Sequence, residues 1–181
     1  MKKTALLLTT ALLFSSTANA LEVQPYIGAD YAYSWAHIKQ GSHYADRFQA
    51  ADLSVGAMVT SVVGLELSFR QTEQKKKNSV FGQTKAEYKA YGLDGVYYFS
   101  VLDSLHLLGS AGLAYYEFKS KVKSATFTHT DDSHYGLRAG LGLQYNIDSN
   151  WAARLMFKYH HIRSDSLKNI KDVTIGARYY F

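Results

Sequence analysis

The chain has 181 residues, formal charge +5 and no cysteine. That is one domain of ordinary size with no disulfide to hold it together, so burial, a closed sheet or a membrane must stabilise it. No dense basic tract joins a nucleic-acid motif, which excludes nucleic acid as the partner, and after the first twenty residues no apolar run approaches the roughly 20 needed for a spanning helix.

The first twenty residues, MKKTALLLTTALLFSSTANA, carry a charged start at Lys2 and Lys3, an apolar stretch from Ala5 to Phe14, and a small-x-small site at Ala18-Asn19-Ala20. This is the pattern of a secretory signal peptide, so residues 1–20 are predicted to be removed and residues 21–181 to form the folded domain. Removing Lys2 and Lys3 takes the formal charge from +5 to +3. The mature protein is only mildly basic.

From Gln24 onward the chain alternates apolar and polar residues, with almost no helical period. Ile27, Ala29, Tyr31, Tyr33 and Trp35 share the first apolar face. Leu53, Val55, Ala57 and Val59 form the second, and Val63, Leu65, Leu67 and Phe69 the third. Tyr91, Leu93, Tyr97 and Phe99 follow, then Leu105, Leu107, Ala111, Leu113 and Tyr115. Tyr135 to Tyr145 and Trp151 to Tyr159 continue the pattern, and VTIGARYYF closes it. Pro25, the one proline, stands at the start of a strand, where a missing donor costs least.

These segments predict eight antiparallel strands of about nine to twelve residues, the length with which a tilted strand crosses a bilayer. Aromatic residues sit at the ends of the apolar faces (Tyr33 and Trp35, Phe69, Phe99, Tyr135 and Tyr145, Trp151 and Tyr159, Phe181), where interfacial girdles lie. Short connections at 60–62, 100–104 and 146–150 alternate with long polar ones at 38–49, 71–85, 119–133 and 161–171. A soluble sandwich would have shorter strands and no such rhythm. The reading is an all-β, eight-stranded, up-and-down transmembrane barrel in a bacterial outer membrane, with lipid on the apolar face and both termini on the periplasmic side.

The polar face is then the lumen. It carries Asp30, Asp52, Glu66 and Asp94 against Arg70, Arg138, Arg154, Lys158 and Arg178. Eight strands enclose a space that side chains just fill, so these groups are expected to pair as a salt-bridged plug rather than line a pore. Inward glycines (Gly28, Gly56, Gly92, Gly112, Gly136, Gly140, Gly142, Gly176) make room for the bulky side chains. The stretch GLRAGLGLQ lies on a strand, so it fails the strand-to-helix context of a dinucleotide loop.

The chain resembles the eight-stranded outer-membrane barrels, the group of the outer membrane protein A transmembrane domain, outer membrane protein X and the opacity proteins. The resemblance covers Leu21 to Phe181 and is most specific in the last strand, with YGLDGVYYF (91–99) and GLRAGLGLQYNI (136–147) as further matches. Phe181 with Tyr179, Ala177, Ile175 and Val173 looks like the signal read by the barrel-assembly machinery, which the resemblance implies as a partner during biogenesis. It also implies a surface role in adhesion, surface interaction or envelope integrity. No cofactor is expected, and since nothing after Phe181 resembles the peptidoglycan-binding domain that some members append, wall anchoring is not expected either.

The loops are where a host or surface ligand would be met. Lys75, Lys76, Lys77 and Lys85 fall in the second long connection, and Lys119, Lys121 and Lys123 flank the third. They are candidates to meet the phosphates of lipopolysaccharide, or are simply solvated charge. An enzyme that modifies lipid A is the alternative function, and a narrow channel a further one. Barrel lipid-A deacylases set an outward His and Ser two apart on one strand. Here Ile162 follows His160 at that spacing and Arg163 follows His161, with Ser164-Asp165-Ser166 beyond. Ser42, His37, His43 and Asp46 in the first connection offer only generic spacing. No nucleophile and base are positioned together, so the prediction is no catalytic, cofactor or metal residue.

Overall fold

A computed structural model describes residues 23–38, 47–72, 75–79, 82–123, 128–162 and 167–181. Nine strands run in the order β1 (Gln24–Ile38), β2 (Arg47–Met58), β3 (Val63–Thr72), β4 (Lys75–Ser79), β5 (Gly82–Leu102), β6 (Leu105–Lys123), β7 (Thr128–Asn146), β8 (Trp151–Ile162) and β9 (Leu167–Tyr180). Every described pairing is antiparallel and joins chain neighbours, except that β3 also pairs with β5 past the short β4, and β9 returns to β1 and closes the sheet. β3 and β4 both pair with β5, at successive heights, so they make one stave of the cylinder. The result is a closed, eight-stranded antiparallel barrel, and closure removes the sheet edges that a bilayer could not satisfy.

Three tight turns and both described termini gather at one end. Thr60 Oγ1 accepts from the amides of Val62 and Val63 at 3.3 and 3.0 Å. Asp148 Oδ1 accepts from the amides of Asn150 and Trp151 at 2.8 and 2.7 Å, an Asx turn that reverses β7 into β8. The Phe181 amide donates to the Pro25 carbonyl at 3.1 Å, stitching the last residue to the first stave.

The register fixes the barrel's shape. A cross-strand row leaves β8 at Trp151 and passes through Tyr179, Ile27, Val55, Leu67, Leu93, Leu113 and Leu137. It regains β8 at His161, ten residues further on. That shift is the shear number. With a rise of about 3.3 Å per residue and a strand spacing of about 4.8 Å, it tilts the strands by roughly 40°, within the range of outer-membrane barrels.

Alternation is strict where it matters. In β8 even positions from Ala152 to Ile162 are buried and odd ones face outward, with Tyr159 half-buried among them. The outer wall is apolar: Leu53 is 61% exposed, Leu141 66% and Tyr135 76%. Phe69 packs on Tyr91 at 5.3 Å and Tyr115 on Tyr135 at 5.1 Å in an upper aromatic belt. Trp151, Tyr179 and Phe181 stack at 5.1 Å intervals in the lower one.

The structure corrects the expected strand lengths. β5, β6 and β7 have 21, 19 and 19 residues, so most of 71–85 and 119–133 is strand rather than loop. Lys75, Lys76 and Lys77 lie on β4, Lys85 on β5, and Lys119, Lys121 and Lys123 on β6. Apolar alternation stops where hydrocarbon stops, but backbone pairing does not need lipid. Polar sequence without a strand-breaking proline goes on pairing in water.

At the seam between β1 and β9, a Cβ on Gly176 would meet the Ala29 carbonyl and the Asp30 Cα. Gly109, on the outer wall, faces open space. Gly176→Ala should therefore cost about 1–3 kcal/mol in a urea titration of the barrel in micelles, while Gly109→Ala should stay within about 0.5 kcal/mol of the parent.

Candidate functional site

The inward face holds two ionic layers. In the upper layer, Asp52 accepts from Arg70 Nε at 2.7 Å and Nη2 at 2.6 Å. The remaining guanidinium nitrogen of Arg70 meets Asp172. Asp172 also accepts from or shares a proton with His160 Nε2 at 2.8 Å, and His160 Nδ1 lies 2.5 Å from the Tyr116 hydroxyl. Beside this chain, Asp94 takes Arg138 Nε at 2.5 Å and stands 3.8 Å from Lys158 Nζ, and Arg138 donates to Ser68 Oγ at 2.8 Å.

The lower layer centres on Glu66. It accepts from Arg154 at 2.7 Å and from the Tyr26 hydroxyl at 3.1 Å, with Arg178 Nε at 3.4 Å. Arg178 forks onto both oxygens of Asp30 at 3.0 and 2.8 Å. Arg154 donates further to the Tyr98 hydroxyl at 2.7 Å and to Gln144.

All nine lumen residues expected from the sequence are thus engaged in ion pairs inside the cylinder. Two members were missed: Asp172, which joins Arg70 to His160, and His160 itself. Both were readable from parity, since Asp172 shares the inward face of β9 with Arg178, and His160 that of β8 with Lys158. With Asp172 included, the described lumen holds five carboxylates (Asp30, Asp52, Glu66, Asp94, Asp172) and five cations (Arg70, Arg138, Arg154, Lys158, Arg178). The formal balance is zero with a neutral His160.

Glycines give these side chains their space. A Cβ on Gly28 would overlap Arg178, and one on Gly92 the guanidinium of Arg138. Above the ions, Tyr88, Tyr116, Ile162 and Ile170 form a buried apolar cluster. Below them lie Tyr26, Ala152 and Tyr180, while Val96, Tyr98, Leu108 and Met156 pack beside the lower layer, with Met156 between Arg154 and Lys158 on β8. These apolar ends keep water from the pairs, which strengthens each attraction and raises the cost of losing one partner.

The remaining candidates are dispersed. Ile175 and Phe181 face outward, 62% and 64% exposed, with Val173 and Tyr179 half-buried on the same face. Register sets Lys76, Lys85, Lys121 and His129 in one cross-strand row above the upper belt, and Glu87, Lys119 and Asp131 in the next. Lys75 and Lys77 alternate with Lys76, and Lys123 pairs with Gln83. His160 is buried in the lumen, whereas His161 faces outward beside Asn169 at 3.3 Å. Ser42, His43, Asp46 and Ser164-Asp165-Ser166 lie outside the described residues, as does the predicted signal peptide.

Removing one partner from the lower layer strands a buried charge. Glu66→Gln should destabilise the barrel by about 3–5 kcal/mol, and Glu66→Met combined with Arg154→Met should recover much of that loss. Urea midpoints read by heat-modifiable gel mobility check both.

The outer membrane protein beta-barrel domain family model matches residues 4–181. Outer membrane protein X of Escherichia coli K12 is 31% identical over 104 residues, 58% of each chain. The chain therefore spans under two thirds of the curated relatives it matches. Among solved structures, Neisserial surface protein A superimposes with TM-score 0.71 at 17% identity, covering 87% of this chain and 97% of that one. Ail of Yersinia pestis, in complex with the heparin analogue sucrose octasulfate, gives TM-score 0.61 at 20% identity, covering 89% and 99%. These structures share the fold: the chain belongs to the outer membrane protein β-barrel domain family, and its place is the outer membrane.

Proposed function

We propose that this protein is a non-enzymatic envelope protein whose closed barrel is an anchor and whose working part is the sheet that β4 to β7 raise above the membrane. The observation that carries the reading is the mismatch in length. β2 and β8 have 12 residues each, while β5 has 21. The excess lies on the side away from the termini, the outer side of an outer-membrane barrel. Its cross-strand row of Lys76, Lys85 and Lys121 offers three cations to an anionic surface ligand. Ail, a structural neighbour, has been captured with a sulfated heparin analogue. An anionic glycan, either a host glycosaminoglycan or the phosphorylated core of lipopolysaccharide, is the ligand class that fits.

The ion-paired lumen between its apolar ends serves rigidity rather than transport. Residues 1–20 direct export and are then removed. Val173, Ile175, Tyr179 and Phe181 form the outward stripe that the barrel-assembly machinery reads, and Lys75, Lys77, Lys119 and Lys123 supplement the basic row against lipopolysaccharide.

Heparin binding to the protein in nanodiscs should fall at least about tenfold when Lys76, Lys85 and Lys121 are changed together to Gln, and the affinity of the parent should drop with rising salt. Unchanged, salt-independent binding would remove this reading. In planar bilayers the parent should show no steady ohmic steps; nanosiemens conductance would contradict the plug.

A further inference from the structure

On the lipid-facing wall of β5 to β8 the surface is not smooth. Gly95, Ala111 and Ala139 occupy consecutive places in one cross-strand row, with Gly109 beside them, and form the floor of a depression of about 630 Å³. Tyr97 bounds it on one side, and Phe157 and Tyr159 on the other. On β6 the floor lies between Leu105 at the lower end and Tyr115 in the upper belt, near the middle of the hydrocarbon. The described surface around it is apolar.

The row that forms the floor continues through Tyr159 to Lys171 and Trp35. Strand tilt makes it climb about 3 Å per strand, so Lys171 stands roughly 9 Å above Ala111 on the outer side. Lys171 faces outward and is exposed, and it has no ion pair among the described residues. Neither this row nor the next one up, Leu113, Leu137, His161 and Asn169, contains a described carboxylate. A lysine whose Cα lies within the apolar band must extend its ammonium to the headgroup level, where phosphate is its natural partner.

We infer that this depression is a lipid site: it seats an acyl chain of a phosphorylated, multiply acylated glycolipid of the outer leaflet, and Lys171 holds that lipid's phosphate. The depression, and the cation one strand beyond its Tyr159 wall and higher on the barrel, match one molecule with a chain below and an anion above. A bare acyl chain explains only the floor. A second copy of the protein would leave Lys171 without an anion. The site is separate from the projecting sheet and rests only on the barrel's place in the outer membrane.

The test reconstitutes the full barrel in nanodiscs doped with hexa-acylated lipid A or, separately, phosphatidylglycerol, exchanges it into mild detergent, and counts retained lipid by native mass spectrometry. One lipid A per barrel is expected, with little phosphatidylglycerol. Lys171→Gln should lower retention about fivefold, and filling the floor with Ala111→Leu and Ala139→Leu should lower it at least as much. Heat-modifiable mobility confirms that each variant is folded; Lys171→Gln, a surface change, decides the matter if the filled variant does not fold. No retained lipid A, equal retention by Lys171→Gln, equal retention of phosphatidylglycerol, or a lipid-free dimer that the filled floor abolishes would each overturn the site.

Discussion

Five carboxylates and five cations stand largely buried in a narrow cylinder, and the rest of the structure follows from the need to pair them. An unpartnered charge in such a space costs several kcal/mol. A lumen enclosed by eight staves is too narrow for a hydrated gap between partners, so each guanidinium must lie against its carboxylate. Glycines opposite the large side chains make that possible. Arg178 pairs in register with Gly28, and Asp30 with Gly176. The same two β1–β9 pairs that close the barrel therefore also house an ion pair. Closure and charge neutrality are one constraint.

The outer wall is shaped by the complementary condition. Lipid accepts any apolar side chain, so the outward face is free to vary in size as long as it stays apolar. It is bulky near the belts and small near the middle of β5 to β7, and the small residues leave a groove. Above the belts the condition lapses, and the sheet of β4 to β7 continues in polar sequence. The barrel is asymmetric for this reason: its shorter staves end near the membrane surface and the longer ones rise beyond it.

Much of this was readable beforehand, because a period of two is unambiguous when one face is lipid and the other is enclosed. Each of the eight alternating segments falls on a stave, and parity alone assigns Asp94 and Arg138 to the inside. What parity does not carry is register. The ten-residue shear, and with it which carboxylate meets which arginine, emerges only when strands are paired. Asp172 shares the polar face with Arg178 but sits at the edge of an apolar segment, next to polar sequence, so the alternation alone does not single it out. Strand ends were misjudged for a related reason. In 119–133 polar composition predicts a loop, yet Thr, Ser, Val and Lys there continue the β6–β7 pairing above the membrane.

The most direct test of the enclosed charge balance is a swap across the seam. Asp30→Arg and Arg178→Asp each put two like charges together inside the cylinder, and each should lower the urea midpoint of the barrel in micelles. Because a glycine stands opposite both positions, the swapped double variant has room for the reversed pair and should recover more than half of the combined loss. If the double variant were as unstable as the two single losses added together, the charges would not be partners, and the account of the lumen would fail.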